Sequence, residues 1–154
     1  MQYGVWRFKV LTNLARRAAF WTLDFIKGRP IGKHYKDIKE IIENKKNAAA
    51  RTEKYLNELL KHATSTVDFY KPYSSFSSLA DFPVITKLLI KEQPDKFLSS
   101  AYKNCKLHYR RTSGSTGMPF VFAQDMNKRN RVLASLIYFG QICNYEVGDK
   151  NIYI

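Results

Sequence analysis

The sequence predicts an α/β chain in which a helical N-terminal region, residues 1–100, gives way over residues 101–154 to strands around a hydroxyl-rich loop. Two observations carry this expectation. Through roughly the first sixty positions apolar residues recur at steps of three and four, the period of a helix with one apolar face. From Cys105 the period drops to two on either side of TSGSTG, residues 112–117, six small or hydroxylated residues in a row. At 154 residues the chain suits one domain, burying roughly 70% of the surface it would expose unfolded. Its 45% hydrophobic residues, 14% of the chain being aromatic, exclude a disordered polypeptide despite 25% charged residues.

In chain order, Trp6, Val10, Leu14, Ala18, Trp21 and Phe25 form one face of a helix over about residues 5–27, which Gly28 and Pro30 stop. Tyr35, Ile38, Ile41 and Ile42 mark a second helix reaching about Lys46. Tyr55, Leu56, Leu59, Leu60 and Ala63 mark a third, over residues 48–62. Between Thr64 and Pro83 the periodicity disappears, and Phe69, Tyr70, Tyr73 and Phe76 are expected to anchor an irregular segment by burying their rings. Thr86 suits the cap of a short helix through Lys91, and Pro94 the first turn of another. Leu107 and Tyr109, then Phe120 and Phe122, alternate with their neighbours as two strands. Asp125 is placed to cap a helix over residues 126–143, a Gly-Asp turn follows at residues 147–150, and residues 151–154 begin another strand.

Twenty-six Lys and Arg stand against 13 Asp and Glu, a formal charge of +13 spread along the chain. That excess is either a solvated basic surface or an attraction to anionic partners, whether nucleotide, nucleic acid or phospholipid. No reader motif for nucleic acid accompanies it, so nucleic acid is not an expected partner. Cys105 and Cys143 have no CxxC spacing, and His34, His62 and His108 show no HxxxH or HExxH pattern, which argues against a zinc site or disulfide framework and for a reducing, cytoplasmic setting. In the first helix the longest uncharged run, residues 18–23, is far short of the roughly 20 apolar residues of a membrane span, and no signal-peptide core is present. Arg7, Lys9, Arg16 and Arg17 among its aromatics fit a helix lying at a bilayer surface; packing of the same stripe on protein is the other reading.

The loop between the two strands has the chemistry of a phosphate cradle. Gly114 and Gly117 carry no Cβ, so the backbone can turn either way and come close to a ligand. Thr112, Ser113, Ser115 and Thr116 offer hydroxyl donors, successive N–H groups can form an anion nest, and Arg110 and Arg111 adjoin. A solvent-exposed turn of the same composition is the bland alternative. The Walker pattern is excluded because Met118 and Pro119, not a lysine, follow Gly117, and GxGxxG is absent.

TSGSTGMP, residues 112–119, resembles the phosphate-loop signature of the adenylate-forming (AMP-binding) superfamily, the acyl- and aryl-CoA ligases and their relatives, roughly [ST]SG[ST]TGxP. LLKHATSTVDFY at residues 59–70, DFPVITKLLI at 81–90 and FWTLDFIKGRPIGKHYKDI at 20–38 are similar to the phenylacetate-CoA ligase branch, nearest its members in capsular polysaccharide biosynthesis and coenzyme F390 synthetase. The likeness runs along nearly the whole chain with varying strength.

That resemblance implies that residues 101–154 begin the nucleotide-binding α/β domain of such an enzyme, incomplete at the C-terminal end. It implies ATP bound at its β- and γ-phosphates by Ser113, Gly114, Ser115, Thr116 and Gly117, with Thr112 supporting the loop's entry. It further implies a carboxylic acid substrate, magnesium held by residues other than these, and CoA as a thiol acceptor. Where many members carry a lysine after the motif's proline, this chain has Phe120, which removes one cation. The family's ribose aspartate, its aromatic and acidic adenine segment and its catalytic lysine have no counterpart in these 154 residues, so the expectation is the N-terminal portion of a ligase, inactive alone. The competing expectation is a non-catalytic paralogue that acts through its basic helices on a partner or membrane surface.

Overall fold

The computed structural model describes residues 2–112 and 119–149, with side chains from Thr12 onward. Helices dominate, and the described residues contain a single two-stranded antiparallel sheet, a mixed architecture of helices with a small β element. The chain forms two compact units, one from residues 1–45 with 127–154 and one from residues 46–126.

The first unit is built on three helices, α1 (Gln2–Ile26), α2 (Pro30–Glu43) and α5 (Met126–Ile142). Gly28 and Arg29, both left-handed with φ of 81° and 59°, reverse the chain after α1. Pro30 does more than stop α1, because a proline in the first turn gives up no helical hydrogen bond and therefore also starts α2. What completes that start is Asp24, from the end of α1. Its Oδ1 accepts the N–H of Ile31 and its Oδ2 that of Gly32, both at 2.9 Å. These are two of the donors a helix N-terminus leaves unpaired. Asp24 is only 4% exposed, the most deeply buried charged residue described. Helix α2 thus begins five residues before the position the apolar spacing marks.

Ile38, Ala134 and Tyr138 are the buried centre of this unit, with Ile31 and Tyr35 packed against it. Trp21, Tyr35 and Tyr138 make a chain of rings with 6.2 Å between successive centroids. The Tyr35 hydroxyl donates to Gln141 Oε1 and the Tyr138 hydroxyl to Glu43 Oε1 at 3.5 Å, while Arg131 pairs with Asp37 at 2.9 Å. Burial, and after it the nearby Glu43 carboxylate, pushes the Tyr138 hydroxyl above the usual phenol range. The segment after α5 folds back on α1, where Asn13 donates to Asp149 Oδ1 at 2.9 Å, Arg16 to the Gly148 carbonyl at 3.1 Å, and Arg17 pairs with Glu146 at 2.7 Å. The expected Gly-Asp turn is there, with Gly148 at φ 105°. Residues 151–154, expected as a strand, lie outside the described residues.

The second unit contains α3 (Lys45–Thr66), the short α4 (Lys87–Glu92) and the strands β1 (His108–Arg111) and β2 (Val121–Gln124). Helix α3 runs four residues past its expected end, and over that added turn Thr64, Ser65 and Thr66 donate their hydroxyl protons to the carbonyls of Leu60 and His62. Leu60 and Thr64 are its buried residues, and Val67 just past its end is buried too. The irregular segment beyond is held by rings as expected: Phe69 stacks on Phe97 with centroids 4.3 Å apart, and Phe82 lies between Tyr73 and Phe76. Asp81 accepts the N–H groups of Ser78 and Ser77, which hold its carboxyl below the ordinary range. Thr86 caps α4 by accepting the Leu89 N–H at 3.2 Å, and a 3₁₀ turn follows at Pro94–Phe97, both as the sequence predicts.

Candidate functional site

The two strands form a hairpin in which His108 faces Gln124, Tyr109 faces Ala123, Arg110 faces Phe122 and Arg111 faces Val121. Beyond the last of these pairs the ladder is completed by Thr112. Its backbone N–H donates to the Phe120 carbonyl at 3.0 Å, and its side-chain oxygen, Oγ1, accepts the Phe120 N–H at 3.1 Å. A threonine hydroxyl has thereby taken the place of a backbone carbonyl at the mouth of the loop. Its own proton remains a donor in chemical terms, since a hydroxyl both accepts and donates. Ser113, Gly114, Ser115, Thr116 and Gly117 lie outside the described residues, so of the expected phosphate-binding set only Thr112 has a described position.

Alternation along a strand puts Arg110 and Arg111 on opposite faces of the ribbon. Both are exposed, so positive charge borders the loop from two sides. Phe120 stacks its ring on Phe122 with centroids 6.3 Å apart. Its aromatic character therefore braces β2.

Replacing Thr112 with Val keeps the β-branched shape and removes the acceptor, leaving the Phe120 N–H without its partner. The hairpin should lose about 1 kcal/mol, in line with the net worth of one hydrogen bond. Hydrogen exchange at the Phe120 amide is the measurement; it should quicken in Thr112→Val and stay near wild type in Thr112→Ser.

A second polar group, which the spacing of histidines does not reveal, gathers at the end of α3. His62 Nε2 lies 3.3 Å from both Thr66 Oγ1 and Ser99 Oγ, and Tyr102 packs edge-on against the His62 ring. It has the residue types of a nucleophile with its base, but the protons run elsewhere. The Ser99 hydroxyl donates to Thr66 at 2.9 Å, and Thr66 donates to the His62 carbonyl at 2.7 Å. The cluster ties the segment around Ser99 to the helix. The Thr-Ser-Thr run at its end was the available sequence signal, visible only with the distant Ser99 in place.

Among the described residues no three His, Cys, Asp or Glu side chains come together as a metal-binding group. Cys105 and Cys143 are exposed free thiols. No described helix is long and apolar enough to cross a membrane. The chain matches no protein-family model, no curated protein and no solved structure.

Proposed function

We propose that this chain is the N-terminal portion of an AMP-forming carboxylate ligase of the adenylate-forming superfamily, in the phenylacetate-CoA ligase branch, and that Thr112, Ser113, Gly114, Ser115, Thr116 and Gly117 receive the β- and γ-phosphates of ATP. The observation that supports this reading most directly is the setting of TSGSTGMP. It joins two paired strands and is drawn together at its mouth by both Thr112–Phe120 hydrogen bonds. A solvent linker has no need of a side chain that substitutes for a rung of the sheet. Arg110 and Arg111 add cationic field on either face of the ribbon.

In the reaction of the whole enzyme, a carboxylate oxygen attacks the α-phosphorus of ATP. The bond from that phosphorus to the bridging oxygen breaks, and pyrophosphate leaves behind an acyl-adenylate. Transfer of the acyl group to a thiol such as CoA would then release AMP. The contribution of this chain is to orient the triphosphate and to place hydroxyl and N–H donors where charge builds on the leaving pyrophosphate, the electrostatic share of such catalysis. Magnesium accompanying ATP would neutralise phosphate charge, held in this reading by residues other than those of the loop. The setting in this reading is the cytoplasm, in the supply of activated acids for polysaccharide biosynthesis.

The test is ATP-dependent pyrophosphate exchange by the product of the whole reading frame. Ser115→Ala combined with Thr116→Ala should slow exchange at least tenfold, about 1.4 kcal/mol of transition-state stabilisation, with the helical circular dichroism retained. Exchange at the wild-type rate would overturn the assignment.

A further inference from the structure

Helix α1 uses only part of its circumference in packing. The side that carries Phe20, Asp24 and Trp21 faces α2, while Leu14, Ala18, Thr22, Leu23, Phe25 and Ile26 stay exposed, with Leu14 at 54%, Phe25 at 62% and Ile26 at 71%. At 3.6 residues per turn these positions cover about half the helix, and no charged side chain falls among them. Cations border this strip. Arg16 and Lys27 lie along the edge beside Leu23, and Arg29 sits over the Phe25 ring at 5.1 Å from its centroid.

Several acidic residues of this unit are engaged away from that edge: Asp24 is buried in the cap of α2, Asp37 pairs with Arg131, Glu43 lies 4.0 Å from Lys39, Glu146 pairs with Arg17 on the packed side of α1, and Asp149 receives the Glu146 N–H. An apolar strip bordered by cations along one edge and at its end, on a chain of charge +13, complements a surface that is apolar beneath and anionic above.

We infer that α1 docks in the plane of an anionic phospholipid bilayer, its strip from Leu14 to Ile26 entering the acyl boundary and its bordering Arg and Lys residues meeting lipid phosphates. A soluble polyanion would meet the cations and leave the strip wet. An uncharged lipid surface would cover the strip and leave the cations unmatched. Both halves of the pattern are met together at an interfacial helix site. The inference is independent of the phosphate loop, which lies in the other unit.

The experiment is co-sedimentation of the chain with vesicles of phosphatidylcholine alone or with 30 mol% phosphatidylserine added as an arbitrary probe composition. Binding should require phosphatidylserine and fall at least tenfold as salt is raised from roughly 50 mM to 500 mM, where the screening length shortens severalfold. Phe25→Asp with Ile26→Asp should abolish binding, and Lys27→Glu with Arg29→Glu should weaken it at least fivefold. All four positions are exposed, so circular dichroism should be unchanged in both variants. No binding to phosphatidylserine vesicles at low salt would overturn the inference. So would equal binding by the Asp variant, or self-association in sedimentation equilibrium that the Asp variant removes, which would assign the strip to a second copy.

Discussion

Gly148→Ala is expected to cost the α1–α2–α5 unit about 3 kcal/mol. Gly148 has φ 105°, where an alanine pays roughly 1–2 kcal/mol for backbone strain alone. The larger problem is space. A Cβ at this position would stand 2.5 Å from the Asn13 carbonyl oxygen and 3.2 Å from the Arg17 nitrogen. Both belong to the backbone of α1 and cannot rotate aside, so the segment must lift away. With it go the Asn13–Asp149 and Arg16–Gly148 hydrogen bonds, worth about 1 kcal/mol each. Urea unfolding followed by tryptophan fluorescence reads this unit selectively, because both tryptophans of the chain, Trp6 and Trp21, are on α1. Gly28→Ala is the control: its φ is 81°, but a Cβ there has open space, so it carries the backbone cost without the collision. If the two variants unfold at the same urea concentration, the close approach of Gly148 to α1 is wrong.

Asp24→Ala should be comparably damaging, at about 3 kcal/mol, through a different cause. The substitution strips the carboxylate from the Ile31 and Gly32 N–H groups at once, leaving donors unpaired where water has little access. A hydrogen bond to a charged group contributes about 1.5–3 kcal/mol, and the negative charge also opposes the positive end of the α2 dipole. Asp24→Asn keeps an oxygen for one donor and should recover part of the loss. The same tryptophan titration measures both variants, and Asp24→Ala should in addition lose helical signal from α2. Wild-type stability in Asp24→Ala would show that water replaces the carboxylate and that the cap is dispensable. Gly32 belongs to this arrangement: an added Cβ would meet Asp24 Oδ2 at 3.1 Å, a tight contact that a glycine avoids.

The parts of the fold readable from sequence are those fixed by neighbours a few residues away. Thr86 capping α4, the ring cluster around Phe82, the turn at Gly148 and the strands flanking the loop are all local, and the structure places each where its residues suggest. The start of α2 was hidden because its cap comes from Asp24, six residues upstream of Pro30 in another helix, where proline reads as a stop. The extension of α3 was hidden because a Thr-Ser-Thr run lacks apolar spacing while still bonding its own helix. Spacing also marked Leu14, Ala18, Trp21 and Phe25 as one face of α1, but spacing carries no information on whether anything covers it. In the structure the packed side runs through Trp21, Phe20 and Asp24, and three of those four marked residues stay exposed. Of the candidate site, the motif itself was legible and the Thr112 clamp follows from its position beside β1. The positions of Arg110 and Arg111 on opposite faces needed the strand register.

The same unit is assembled from two stretches of chain that are far apart in sequence, and this bears on how it is made. Ile38 leaves the ribosome with its partners Ala134 and Tyr138 still about a hundred residues from synthesis. At 5–20 residues per second that is a wait of roughly 5–20 s. Residues 46–126 are contiguous and can condense during that interval, whereas α1 and α2 must remain an open pair until α5 emerges. During translation, then, the earliest helices are the last to be finished, and their bare apolar surfaces are what a nascent-chain chaperone would meet first.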